Sequence, residues 1–321
     1  MKIKSLLKSL LVVSLLVVFC GCQVSRDAKA GRGGRDGSGP TQPNENYGPP
    51  TKLGVLENRS IDESSGIVAS RTTPGMYWTH NDSGDGPFIY AFDDHGHTRG
   101  VWKVAGATAD DWEDIAIGPG PTTGTSYLYI GDIGDNSEDR SQITVYRVPE
   151  PTITAADAGT KKSNAQLTEA AEPLRLRYPD GRHNAETLIV HPLSGKLYVV
   201  TKVEFGNARV YEADPATVSE GVIKMTRVGE LSVPTVFGGM LTGGAISPDG
   251  LRVAVCDYVQ GYELVLPNAN SAFNLIWKET LKPIPLGPRE QGEAIGYRLD
   301  GRALVATSEG RPAPLIQVER R

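Results

Sequence analysis

Cysteine is almost missing from this 321-residue chain. Cys20 and Cys22 close the amino-terminal segment, which leaves Cys256 alone in "RVAVCDY". No disulfide framework or cysteine zinc site can be built from that set, and Cys256 reads as a small buried apolar residue of a strand. Histidine is scarce too, with five residues, and no H-E-x-x-H, G-x-S-x-G elbow or P-loop occurs; those absences remove the zincin, serine-hydrolase and P-loop nucleotide chemistries. An excess of positive charge is also lacking. Formal net charge is −5, and loss of Lys2, Lys4 and Lys8 with an export signal lowers it to −8, so nucleic acid is excluded as a partner class. Long helical periodicity is absent, and with it helical bundles and wound α/β folds.

The one long apolar run, Leu10 to Phe19, follows three lysines and ends on small residues in "FCGC". It is too short to span a bilayer and reads as an export signal over residues 1–22. Gly21 directly before Cys22 predicts a bacterial lipoprotein with lipid on Cys22, held outside the cytoplasm at a membrane; plain secretion is the alternative. Residues 23–50, with "GRGGRDGSGPTQPNENYGPP", hold almost no apolar side chain and read as a flexible tether. The folded domain is then 51–321.

What is abundant is short Val/Ile/Tyr-rich runs parted by "PDG", "LDG" and "LSG" turns. They align into a unit: "SSGIVASRTTPGMYWTHND", "WEDIAIGPGPTTGTSYLYIGD", "AETLIVHPLSGKLYVVTK", "GGAISPDGLRVAVCDY" and "GEAIGYRLDGRALVATSE". Each is an apolar strand, a turn and a second apolar strand, with weaker strands such as "FIYAFDD" and "RGVWKV" following. Such a repeat predicts an all-β fold, a single β-propeller of five four-stranded blades. Six blades are the alternative, because the long interval from Ile115 to Leu188 can hide one. The anchors Ile67, Ile115, Leu188, Ile246 and Ile295 set the register, and "KLGVLEN" (52–58) is expected to close the ring beside the final strand.

Antiparallel pairing puts the start of each innermost strand and the end of its neighbour on one face. The starts supply Glu63, Glu113, Glu186 and Glu293, with only Gly243 and Gly244 in the fourth blade. The ends supply His80, Asn81 and Asp82, then Asp132 and Asp135, Thr201 and Lys202, Asp257, and Ser308 with Glu309. So many confined carboxylates beside one lysine raise each other's pKa unless a cation joins them, and hard oxygen ligands favour Ca2+. The expected metal ligands are Asp82, Asp85, Glu113, Asp132, Asp135, Glu186, Glu293 and Glu309. The opposing reading is structural, in which the carboxylates accept backbone N–H groups of the next blade. Candidates for acid, base or charge neutralisation are Glu113, Glu186, His183 and Lys202, with Arg182 and Arg311 as further cations. His95 and His97 read as exposed turn residues.

The series "SSGIVAS", "HNDSGDGP", "DWEDIAIGPGP", "YLYIGDIGDN", "VYRVPEP", "NAETLIVHPLSGKLYVVTK", "ISPDG" and "QGEAIGYRLDGRALVATSEG" resembles a family of exported bacterial β-propeller proteins. The "EDIA", "AETL" and "GEAI" steps also resemble the repeats of esterase-like phytase and SdiA-regulated propellers. That resemblance implies calcium on the channel face and phosphoester hydrolysis. Two functions therefore stand: a propeller that binds Ca2+ and an unknown ligand or protein partner at its channel face, or a calcium-dependent phosphoester hydrolase. The fold does not choose between them.

Overall fold

The computed structural model describes residues 44–233 and 239–321; the export signal, Cys22 and most of the expected tether lie outside them. The inner strands Ser64–Ala69, Trp112–Pro119, Ala185–Val190, Gly243–Ile246 and Gly292–Tyr297 stand around one axis, each packed against the inner strands of two neighbours. Each leads a separate sheet, so the chain is a five-bladed β-propeller. Blade three shows the plan: Ala185–Val190, Leu197–Thr201, Ala208–Ala213 and Thr226–Leu231, all antiparallel. Both faces of an inner strand meet another blade, which is why "AETLIV" is buried at every position rather than at alternate ones.

The core is five apolar wedges, one between each pair of adjacent blades. Trp78 and Trp112 fill the wedge between blades one and two, and Tyr198 with Trp277 that between three and four. Each fully buried large side chain stabilises the disc by about 1.5–3 kcal/mol relative to exposure.

No sixth blade occupies the interval from Ile115 to Leu188. After Ile143–Pro149 the chain leaves blade two and crosses to blade one. There Thr160 Oγ1 accepts the Val101 N–H at 2.8 Å, and Gln166–Ala170 pairs parallel to Thr98–Ala105 as a fifth strand. It then returns as Glu172–Arg177 to complete blade two. Ile223–Lys224, just before the outer strand of blade three, pairs parallel with Glu172–Arg177. Two blades thus have five strands, and the straps stitch blades one, two and three along their outer edges. These crossings cover edges that would otherwise offer unpaired backbone groups.

The ring closes as the repeat predicts: Thr51–Val55 pairs antiparallel with the last strand, Pro314–Glu319, as the outer strand of blade five. The tether reading is corrected at its carboxyl end, because Asn44 and Tyr47 are buried. The Tyr47 hydroxyl donates to the buried Glu263 carboxylate at 2.5 Å, Tyr297 donates to the same carboxylate at 3.0 Å, and the Asn44 amide at 3.3 Å. An unpaired buried carboxylate is costly, so Glu263 recruits donors from a stretch whose composition alone reads as linker.

Candidate functional site

The strand directions place the inner-strand starts on one face of the disc, around the mouth of the axis. At three starts the ladder carries a β-bulge, between Trp112 and Asp114, Ala185 and Thr187, and Gly292 and Ala294. The extra residue is Glu113, Glu186 or Glu293. A bulge leaves one residue out of the pleat and re-aims its side chain, so the recurring glutamate is the residue the backbone turns out of the ladder. In blade one the bulge falls between Ser64 and Gly66, at Ser65 rather than Glu63. The Ser65 hydroxyl donates to the Glu113 carbonyl at 2.5 Å. Glu63 stands two residues earlier, in a backbone bridge with Glu309.

Blade four has no bulge. Its register sets Ile246 against Val253, as Tyr297 lies against Leu304, so Ile246 is not the counterpart of Ile295. The glutamate position falls to Thr242, whose hydroxyl donates to the Gly292 carbonyl at 2.9 Å.

Asp82, Asp111 and Glu113 converge, with one carboxylate oxygen from each within 4.8 Å of the others. Asp82 comes from the end of blade one's second strand and Asp111 from the turn before Glu113. Gly134, in "GDIGDN", makes the approach possible, because a Cβ there would overlap the carboxylates of Glu113 and Asp111. Burial pushes the Glu113 carboxyl well above its ordinary range, and the charges of Glu186, Asp82, Asp111 and Glu293 add to the rise. Glu293 is driven the same way by burial, then by Glu309 and Glu186. Glu186 is raised to about 7 by burial, an effect that Lys202 partly offsets through its charge and hydrogen bond. The Lys202 ammonium also donates to the Tyr258 hydroxyl at 2.6 Å. Its own pKa rises despite burial, because Glu186 and Tyr258 hold the proton.

Asp114 does what the structural reading assigned to the glutamates. Its carboxylate accepts N–H groups from Ile115 at 2.8 Å, Leu188 of blade three at 2.9 Å and Gly244 of blade four at 3.3 Å. Three blades are pinned by one buried side chain, and burial raises its carboxyl although the three donors pull the other way.

The other expected residues have their own partners. Asp132 forms an ion pair with Arg140 at 2.8 Å and accepts the N–H groups of Asp110 and Asp111, so it shapes the turn that carries Asp111. Asp135 accepts the N–H groups of Asp139 and Arg140 and holds its own loop. Asp85 binds the Tyr90 hydroxyl and the Lys162 ammonium on the outer side of blade one. Asp257 accepts the N–H groups of Val259 and Gln260 and the Tyr262 hydroxyl. Glu309 stays at the mouth, beside Glu293 and the Gln291 amide.

His183 packs on Tyr178 and Tyr211, with Nε2 3.1 Å from Asp180, and so turns to that cluster instead of Glu186. Arg182 is exposed, and Arg311 pairs with Asp62 at 2.6 Å. His80 is buried against Trp112 with Nδ1 2.7 Å from the Asn81 carbonyl. His95 and His97 lie at an exposed turn around Asp93.

Sequence reasoning missed Asp111, Tyr258, Ser65, Asp114 and Gly134. The "DWED" run displays Asp111 and Asp114, but only the bulge tells which acid faces the axis and which turns into the wall.

No family model matches the chain, and no curated protein matches it in sequence. Among solved structures, one similar chain is a gluconolactonase from Xanthomonas campestris. It is 11% identical, with 89% of this chain and 99% of that chain covered and a TM-score of 0.41. Another belongs to a nidogen/laminin complex, at 14% identity, 77% and 72% coverage and the same TM-score of 0.41.

Proposed function

We propose that the channel mouth binds a divalent cation, Ca2+, with Asp82, Asp111 and Glu113 as ligands and Glu186 and Glu293 facing the same ion, and that the domain presents this face to a ligand or partner. One observation carries the reading: three carboxylates meet within 4.8 Å, while the nearby ammonium of Lys202 is engaged by Glu186. All-oxygen donors without sulfur or imidazole are the donor set of a hard cation. Melting should rise with calcium and fall with chelator. Binding to the folded state alone stabilises by about 2.7 kcal/mol at a hundredfold excess over Kd. Identical melting in calcium and chelator overturns the reading.

Glu186, with a pKa of about 7 beside Lys202 and Tyr258, favours a second reading, hydrolysis of phosphoesters at the same mouth. Bound calcium would supply polarisation of a phosphoryl oxygen. Glu186 or Glu113 would take a proton from water, and Lys202 would offset charge. Assay of generic phosphomonoesters and phosphodiesters with calcium and with chelator separates the two.

The protein is further proposed to be exported and held at a bacterial membrane by lipid on Cys22, on the strength of the basic, apolar and small-residue segments that end at Gly21. Cys22→Ala should release it from the membrane fraction, and unchanged association overturns the anchor.

A further inference from the structure

The axis has a second end. On the face opposite the acidic mouth, the carboxyl ends of all five inner strands and the hairpins after them enclose a funnel lined by Val68, Ile117, Val190, Ile246, Tyr297 and Leu299 among others. Asp114 stands between its floor and the mouth: Leu188 and Gly244, which line the floor, are the residues whose N–H groups Asp114 holds across the axis. The two ends are separate sites in one disc.

Among the described residues one charged group lines the funnel, the Arg71 guanidinium, half-buried at the first turn of blade one. Its Nη2 donates to the Ile117 carbonyl at 3.3 Å. Among the described residues no carboxylate stands within 4.0 Å of it. Glu150, the nearest acid charge acting on it, is engaged by neutral donors: the Ser70 hydroxyl at 2.6 Å, the Trp78 indole at 3.0 Å and the Arg71 backbone N–H at 3.1 Å. A guanidinium has five N–H donors in a planar fork, and here one carbonyl uses one of them.

We infer that this funnel is a binding site for a small monocarboxylate with a short apolar tail, the carboxylate on Arg71 and the tail between Val68, Ile117 and Ile246. Arginine matches a carboxylate in a bidentate fork, and the attraction strengthens where apolar walls exclude water. A single guanidinium close to Glu150 suits one negative charge, not two. The space at the floor is about 40 Å³, which suits a short apolar tail. A pocket of apolar walls with one placed polar group is the usual form of a small-molecule site.

Isovalerate is the probe, isoamyl alcohol its uncharged counterpart and inorganic phosphate, at a pH well above its second ionisation, the doubly charged control. Binding to the full chain is read by ligand-detected NMR and calorimetry up to about 10 mM, because a ligand of so few atoms binds weakly. Isovalerate should bind at least tenfold more tightly than the alcohol or phosphate. Arg71→Met should remove that preference in a protein that still unfolds cooperatively, and Ala69→Leu, which fills the funnel from its rim, should abolish binding of acid and alcohol alike. Chelator and Glu113→Gln should change nothing, which separates this site from the mouth. Equal binding of acid and alcohol, an Arg71→Met protein with wild-type affinity, phosphate binding as tightly as isovalerate, or no isovalerate binding at all overturns the inference.

Discussion

Glu113 and Asp114 are adjacent and do opposite things. Asp114 turns into the wall and is satisfied by three N–H donors from three blades; Glu113 turns out over the axis into the charges of Glu186, Asp82, Asp111 and Glu293. Replacing the first should hurt and replacing the second should help. Asp114→Asn puts an amide NH2 against a backbone N–H and leaves a buried donor unmatched, a loss of about 2–4 kcal/mol in urea unfolding. Glu113→Gln removes a buried, repelled charge, so in chelator it should melt at or above the wild-type temperature while its response to calcium disappears. A Glu113→Gln protein that melts well below wild type in chelator shows that the side chain is a packing element.

At the scale of elements, the site depends on backbone irregularities. The bulges at Glu113, Glu186 and Glu293 aim the acids, and the "GDIGDN" turn brings Gly134 against two of them. The backbone of Gly134 is not left-handed, so alanine fits it without φ strain, and the atoms nearest the added methyl belong to the carboxylates of Glu113 and Asp111. Gly134→Ala should therefore keep the fold and weaken calcium binding at least tenfold by calorimetry, through displacement of those ligands. Equal affinity would mean that the ion, if bound, uses other oxygens. The outer straps act on a different quantity: by tying blades one to two and two to three, they couple three sheets that would otherwise touch only through side chains.

Across the whole molecule, charge is divided between faces. The mouth-face connections, from 56–63 round to 309–313, carry fifteen Asp and Glu against six Lys and Arg. The far face receives the amino-terminal segment at Tyr47 and the carboxyl end at Arg320, which pair there. That concentration has a signature in pH. An unfolded Glu titrates at about 4.3, and Glu186 in the fold at about 7. Between those values the folded state holds a proton that the unfolded state has released. Stability is therefore present at low pH and is lost as pH rises through the window, by about 1.4 kcal/mol for each tenfold fall in proton concentration. Glu113 and Glu293 are shifted in the same direction. Carboxyls held low, such as Asp93 at about 2, act only below that window. In chelator the urea midpoint should fall from pH 5 to pH 7.5, and calcium should restore most of the loss. A midpoint that rises over this interval contradicts the burial of uncompensated carboxylates.

The sequence by itself determined the all-β propeller, its five repeats and its closure by residues near 52–58, because short Val/Ile/Tyr-rich runs and turn residues are local signals that tertiary contacts merely assemble. It also marked Glu113, Glu186 and Glu293 as one recurrent position. Only the tertiary structure decided which acids meet. A bulge shifts one residue out of a period-two pattern and leaves no mark in residue types, so the repeat points to Glu63 where Ser65 stands, and Asp114 goes unread beside Glu113. Asp85, Asp132, Asp135 and Asp257 carry the same letters as metal ligands, and what occupies them is a lysine, an arginine and backbone N–H groups brought near by loops. The far-face funnel is invisible in the sequence for the same reason: Arg71 joins walls drawn from five separated segments, and only the closed ring sets them around one axis.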